Sequence, residues 1–275
     1  MVTPGNVEDE LSAPFGLRKG QIEFYAQNGY LKLSQVFTPE LLNYYQPEIS
    51  KKVKELNKQT LPLDQRSTYD KAFLQVMNLW VESSIVRELV FSARLARIAT
   101  ELMGCRGVRL YHDQALYKEP GGGITPWHAD QYYFPVSNDN VVTAWIPLQN
   151  TPLEMGALAF CEKSHRFQYG RDLEISDESE LKLEQALKQF PVDETPFALG
   201  DVSFHAGWTF HRAGANRTGR AREVMTIIYM DQDMRLVLPK NKNQESDLEH
   251  CPGVATGEVI DSPLNPIIFT DPTKS

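Results

Sequence analysis

The hydrophobic period of this chain changes at Gly104, and that change restricts the folds open to it. Before Gly104 apolar residues recur every three or four positions; after it they fall in short alternating stretches broken by Gly, Pro, Asn and Asp. Thr38, Pro39 and Glu40 supply an N-cap, a proline at the first helical position and an acidic first turn. They predict a helix running through Leu41, Leu42, Tyr45, Ile49 and Val53. A second helix is predicted through Val86, Leu89, Val90, Leu95, Ile98, Ala99 and Leu102, capped by Gly104. Between the two, residues 73–80 predict a short strand. Beyond Gly104, strands are predicted over 108–117, 141–148, 156–161, 201–205 and 224–230, with a turn at 119–123 and a helical surface insertion over 176–190. Residues 1–16 lack periodicity and read as a loose, flexible arm; residues 233–275, rich in Pro, Asn and Asp, read as outer loops. The expectation is one domain over 17–275, mainly β in an α+β arrangement. Helical support spans 17–104 and a β-barrel core spans 105–232.

Composition narrows the function. Of 275 residues 41% are hydrophobic, enough for a substantial core, and a net charge of -8 gives a field that repels polyanions. Nucleic acid is therefore not an expected partner. Cys105, Cys161 and Cys251 form neither an even disulfide framework nor a C-x-x-C pair, and no signal-peptide pattern opens the chain, so a cytoplasmic setting is expected. No run of eighteen apolar residues predicts a membrane span. Oligomeric state is not encoded in these features.

The chemistry-bearing residues are His128 and Asp130 in WHADQYYFP, and His211 in HRAGANRTGRAR, which also carries Arg222. Two neutral imidazoles and one carboxylate hold Fe(II) on one face of its octahedron and leave adjacent positions for a bidentate cosubstrate and dioxygen. In a strand, residues i and i+2 point to one side, so His128 and Asp130 face a barrel interior while Ala129 faces away. The string alone is weak. His-x-Asp arises by chance in roughly one chain in three or four of this size, and its ordinary reading is a surface pair beside a turn. Arg222, two positions before a predicted strand, adds a guanidinium placed to pair bidentately with a cosubstrate carboxylate.

Six ordered motifs, WHADQYYFP, TAWIPL, EMGALAF, KSHR, GDVSFH and HRAGANRTGRAR, together resemble the phytanoyl-CoA dioxygenase family of Fe(II)/2-oxoglutarate oxygenases. FYAQNGYLKLSQVFTPE is similar to the opening helix and strand of that family, so the resemblance spans roughly residues 20 to 232. It implies a double-stranded β-helix, a jelly roll of cupin type, with flanking N-terminal helices. It also implies a dioxygenase that hydroxylates an aliphatic carbon of a small organic substrate, using 2-oxoglutarate and dioxygen and releasing succinate and carbon dioxide. Desaturation, epoxidation or rearrangement of a natural-product intermediate with the same cofactors, or a non-enzymatic metal-binding barrel, are the alternatives. Carried over by position, the resemblance makes His128, Asp130 and His211 the iron ligands and Arg222 the partner of the cosubstrate carboxylate, with Trp145 and Gln114 beside the cosubstrate. Ala213 departs from relatives that have a hydrogen-bonding serine there. Gln75, His112, Tyr132, Phe134 and Trp208 are the substrate-pocket candidates, while His205 is expected to be structural and Arg220 solvated. Asp130 fills the position where related halogenases have a small residue, which favours hydroxylation. The acidic balance does not favour a CoA-linked substrate.

Overall fold

The structure is a computed structural model that describes residues 4–274, with side chains from Glu8 onward. Its helices are α1 (Pro4–Ser12), α2 (Lys19–Asn28), α3 (Pro39–Leu56), α4 (Thr68–Ala72), α5 (Leu79–Glu82), α6 (Ser84–Val90), α7 (Ala93–Met103), α8 (Asp177–Leu187) and α9 (Lys242–Asp247). Its strands are β1 (Tyr30–Leu33), β2 (Leu74–Met77), β3 (Gly107–Tyr117), β4 (Thr125–His128), β5 (Val141–Pro147), β6 (Leu158–Cys161), β7 (Val192–Glu194), β8 (Val202–Ala206), β9 (His211–Ala213), β10 (Val224–Asp231) and β11 (Ile267–Thr270).

The caps read from the sequence hold their helices. Thr38 Oγ1 accepts from Leu41 N (3.3 Å), a bond that stabilises α3 by about 1 kcal/mol, and all five apolar residues predicted for that helix are buried. Gly104 closes α7 at φ 67°. The helix predicted across 86–102 is two, because Ser92 caps a new start: its hydroxyl accepts from Leu95 N (3.4 Å) and donates to Leu11 O (3.0 Å). That second bond also corrects the expected loose arm. Residues 4–12 form α1, Leu11 is 7% exposed in the core, and Glu10 accepts from the backbone and hydroxyl of Thr38. One apolar anchor and polar tertiary partners hold this segment, so no periodicity announced it; residues 1–3 of the expected arm lie outside the described residues.

Two antiparallel sheets form the core. The larger runs β1-β8-β5-β10-β3-β11 with β2 also on β3, and the smaller runs β4-β9-β6-β7. A cavity of about 490 Å³ lies between them, lined from the larger sheet by His205, Thr143 and Gln114 and from the smaller by His128, Leu158 and His211. This is the double-stranded β-helix expected. The helices α3, α6 and α7 pack their apolar faces on the outer side of the larger sheet, in one cluster with Leu110, Val142, Ile227 and Tyr229. The expected insertion is α8, whose Leu183 and Leu187 are buried against Trp127 and Phe210, leaving Leu181 exposed. The C-terminal residues are more than outer loops. They add β11 to the edge of β3 and bring Asp247 and His250, at the end of α9 and just beyond it, into the cavity wall. A Pro- and Asn-rich composition marks the turns of this segment but not where it docks. Among the described residues no helix is long and apolar enough to cross a membrane, and the three cysteines are buried free thiols.

Candidate metal centre

Strand pairing creates the centre. His128, the last residue of β4, pairs with His211, the first of β9, and their ring centroids are 4.1 Å apart. Ala129 continues extended (φ -124°, ψ 129°), so Asp130 returns to the face of His128 even though the strand has ended and a 3-10 turn begins at Asp130. Ala129 faces the other way, into the cluster with Trp127 and Leu183. Asp130 Oδ1 lies 3.7 Å from His128 Nε2 and 3.5 Å from His211 Nε2, and one donor atom from each residue falls within 4.8 Å of the others.

The second atom of each group fixes the first. His128 Nδ1 donates to Pro126 O (2.8 Å) and His211 Nδ1 donates to Thr209 O (2.9 Å). Carbonyls only accept, so both protons sit on Nδ1 and both Nε2 lone pairs converge on the cavity. Burial lowers the pKa of both rings, which keeps them neutral. Burial alone would raise the pKa of Asp130, but His211, then His205 and His128, hold it well below the usual carboxylate range. Its Oδ2 is occupied by donors, Thr143 Oγ1 (2.8 Å) and His205 Nε2 (3.1 Å), which leaves Oδ1 for the imidazole side. Two neutral nitrogens and an oriented carboxylate oxygen fit a divalent iron.

His205 is thus more than filler. Thr143 and His205 are register partners on β5 and β8, and the same rung continues through Ile228 to His112. His205→Ala is expected to weaken Fe(II) binding by about 10- to 100-fold, as loss of an outer partner of a metal ligand typically does. His205→Gln, which restores a donor, is expected to recover part of it. An anaerobic Fe(II) titration checks both, and unchanged affinity in the alanine variant would contradict the assignment.

Arg222 lines the same cavity. Its side chain is 2% exposed, its Nη1 donates to Gly156 O (2.8 Å), and its Nε has no partner. The guanidinium carbon lies 5.6 Å from the centre of the Trp145 ring. Burial lowers its pKa to about 10, so it stays charged at neutral pH. A buried cation with an orphaned donor fits an anionic ligand, and a dicarboxylate cosubstrate supplies one. Thr125, the register partner of Ala213, also lines this cavity and carries a hydroxyl beside the position where relatives have serine. Arg220, as expected, is exposed.

Gln114 and Gln75 line the cavity as a chain: Tyr69 Oη donates to Gln75 Oε1 (2.7 Å), and Gln75 Nε2 donates to Gln114 Oε1. His112 and Phe134 line it as well. Tyr132 and Trp208, expected among the pocket residues, do not. A 3-10 turn fans consecutive side chains apart, so Tyr133 faces the cavity while Tyr132 sits against α9, its carbonyl accepting from Gln244 Nε2 (3.0 Å). Trp208 donates through Nε1 to Asp139 (2.9 Å) and stacks under Arg171 outside the cavity. Tyr69, Asp247 and His250 are wall residues that no motif signalled.

Comparison with known proteins places the chain in a family. The profile of the Phytanoyl-CoA dioxygenase (PhyH) family matches residues 25–224. A probable alpha-ketoglutarate-dependent hypophosphite dioxygenase of Stutzerimonas stutzeri is 24% identical over 76% of this chain and 77% of its own length. The alpha-ketoglutarate-dependent carbocyclase SnoK of nogalamycin biosynthesis superposes with a TM-score of 0.77 at 24% identity, over 94% of this chain and all of that one. The epimerase SnoN, solved with Fe3+, alpha-ketoglutarate and nogalamycin RO, gives 0.76 at 23% identity, over 91% and 98%. The chain belongs to the phytanoyl-CoA dioxygenase family of Fe(II)- and 2-oxoglutarate-dependent oxygenases.

Proposed function

We propose that this protein hydroxylates an aliphatic carbon of a small organic substrate, consuming 2-oxoglutarate and dioxygen and releasing succinate and carbon dioxide. His128, Asp130 and His211 would hold the iron, and Arg222 would pair with the distal carboxylate of 2-oxoglutarate beside Trp145 and Gln114. The observation that carries the reading is the presence of Asp130 in the donor set, its second oxygen already held by Thr143 and His205. A carboxylate there keeps halide from taking its place. When bound, the iron supplies dioxygen activation. The chain's own groups do the rest. Nδ1 protons on His128 and His211 keep both Nε2 atoms as ligands, and Arg222 orients the cosubstrate from the opposite wall. The Gln75–Gln114 chain offers polar contacts, and Phe134 and Tyr133 exclude water. A cavity of about 490 Å³ suits a small or medium-sized organic molecule.

The product decides between hydroxylation and its relatives. Turnover under labelled dioxygen is expected to place one labelled oxygen in the product and one in succinate. A product that gains no oxygen would overturn hydroxylation in favour of desaturation or rearrangement; solved structures of this fold include a carbocyclase and an epimerase. For the cosubstrate site, Arg222→Gln is expected to raise the KM for 2-oxoglutarate by about 10²-fold with a smaller change in kcat, because a bidentate ion pair in a buried site is lost. An unchanged KM would remove Arg222 from the site.

A further inference from the structure

A second polar cluster lines the cavity at the other end of β10. Arg222 precedes the first residue of that strand, whereas Ile228, near its last, pairs with His112. His112, Asp247 and His250 each place a donor atom within 4.8 Å of the others. A β-bulge builds it. The register of β10 on β3 slips between Ile228 and Tyr229, which leaves Tyr111 as the extra residue. Its hydroxyl donates to Asp247 Oδ2, while His112, the next residue, faces the cavity.

We infer that this cluster docks the protonated amine of the substrate, with Asp247 as its counter-ion and His112 beside it. The inference rests on the reading above that the cavity is the reaction site. Charge supports it. Among the described residues lining the cavity, Arg222 is the sole Lys or Arg, while Asp247, Glu174 and Glu249 add negative charge. An anionic substrate would meet carboxylates at this end, and a polyanion such as a CoA thioester would be repelled. Hydrogen bonding supports it too. Asn78 Nδ2 donates to His250 Nδ1 (3.1 Å), so the proton of that ring sits on Nε2, facing Asp247 Oδ1 (3.8 Å) and Glu249 Oε1 (3.7 Å). A ring in that form offers no free lone pair to a metal. Asp247 Oδ1 is beyond hydrogen-bond reach of His250, and His112, 2% exposed, has an Nδ1 with no partner. The free Asp247 Oδ1 therefore waits on a donor. Burial raises the pKa of Asp247 to about 7, and a bound ammonium would hold it ionised.

The test compares hexylammonium, hexan-1-ol and hexanoate as probes. Each is titrated by calorimetry into the protein loaded anaerobically with Fe(II) and 2-oxoglutarate, with the visible charge-transfer band followed in parallel. Hexylammonium is expected to bind at least about tenfold more tightly than the alcohol, as a charge-assisted bond in a partly buried site does, and Asp247→Asn is expected to erase that preference. His250→Gln, which keeps a donor, is expected to retain most of it. Equal binding of the three probes, or preference for hexanoate, would overturn the inference. So would a second equivalent of Zn2+, titrated alone, that is lost in His250→Ala, since the cluster would then be a metal site. The band reports the iron and cosubstrate, and calorimetry reports the amine, so a failure of the reaction-site reading is separable from a failure of this one.

Discussion

Asp130→Ala is expected to abolish 2-oxoglutarate-dependent oxygenase turnover, with a loss of about 10³-fold or more, or about 4 kcal/mol of transition-state stabilisation. The variant keeps two neutral imidazoles but no charge to balance a divalent ion, and it strands the hydroxyl of Thr143 and the Nε2 proton of His205 beside a void. The metal-free protein is expected to behave differently. Its loss is one of stability: the contacts that hold the Asp130 carboxylate outweigh its desolvation, and each donor stranded by its removal costs about 1 to 3 kcal/mol, so the melting temperature without metal should fall. The rise in melting temperature produced by Fe(II) in the wild type, which scales with binding to the folded state, should vanish. Differential scanning fluorimetry with and without Fe(II), together with 2-oxoglutarate turnover, reads both. Wild-type turnover in the variant would refute the ligand assignment.

Lys118→Met is expected to destabilise the protein by about 3 to 5 kcal/mol. Lys118 is fully buried next to Arg222, and its Nζ lies within hydrogen-bond distance of Gly123 O (2.6 Å), Gly214 O (2.8 Å) and Thr125 Oγ1 (3.2 Å). These three acceptors belong to the turn after β3, the turn after β9 and the start of β4, so one side chain ties together the segments that position His128 and His211. Methionine fills the space and removes the donor that these acceptors share. Burial, and then the proximity of Arg222, lowers the Lys118 pKa to about 6, so near neutral pH the group is mainly the uncharged amine, with two protons to donate among the three acceptors. The loss comes from the acceptors left unmet, each costing about 1 to 3 kcal/mol when buried. Urea denaturation measures the difference, and a loss below about 1 kcal/mol would contradict the account.

The parts of the site that were legible in the sequence are those fixed by local spacing. His128 and Asp130 reach the same face because one extended residue separates them, and His211 and Arg222 flank a turn whose Gly and Asn mark it. Trp145 and Gln114 sit on strands whose alternation is plain, and β10 pairs both with Thr226. What was hidden depends on registers between distant strands. His205 reads as an ordinary buried histidine until β8 is set beside β5, where it falls opposite Thr143 and turns toward Asp130. The bulge at Tyr111 shifts a side chain by one position, and a period of two cannot reveal it. Asp247 and His250 come from a segment whose turn-rich composition carries no period at all. The same reason hid α1, whose hold on the domain runs through Glu10 and Ser92. Tyr132 and Trp208 failed as pocket residues because aromatic clustering near a ligand says nothing about which way a 3-10 turn or a loop directs each ring.

The proposed site joins an iron centre of His128, Asp130 and His211 to a 2-oxoglutarate anchor at Arg222 in one cavity. Titrating 2-oxoglutarate into the anaerobic Fe(II)-loaded protein, with the visible metal-to-ligand charge-transfer band followed, reads both at once. A saturable band is expected in the wild type, lost in His211→Ala and requiring more 2-oxoglutarate in Arg222→Gln. Stoichiometric iron binding with no band at any 2-oxoglutarate concentration would contradict the proposed site.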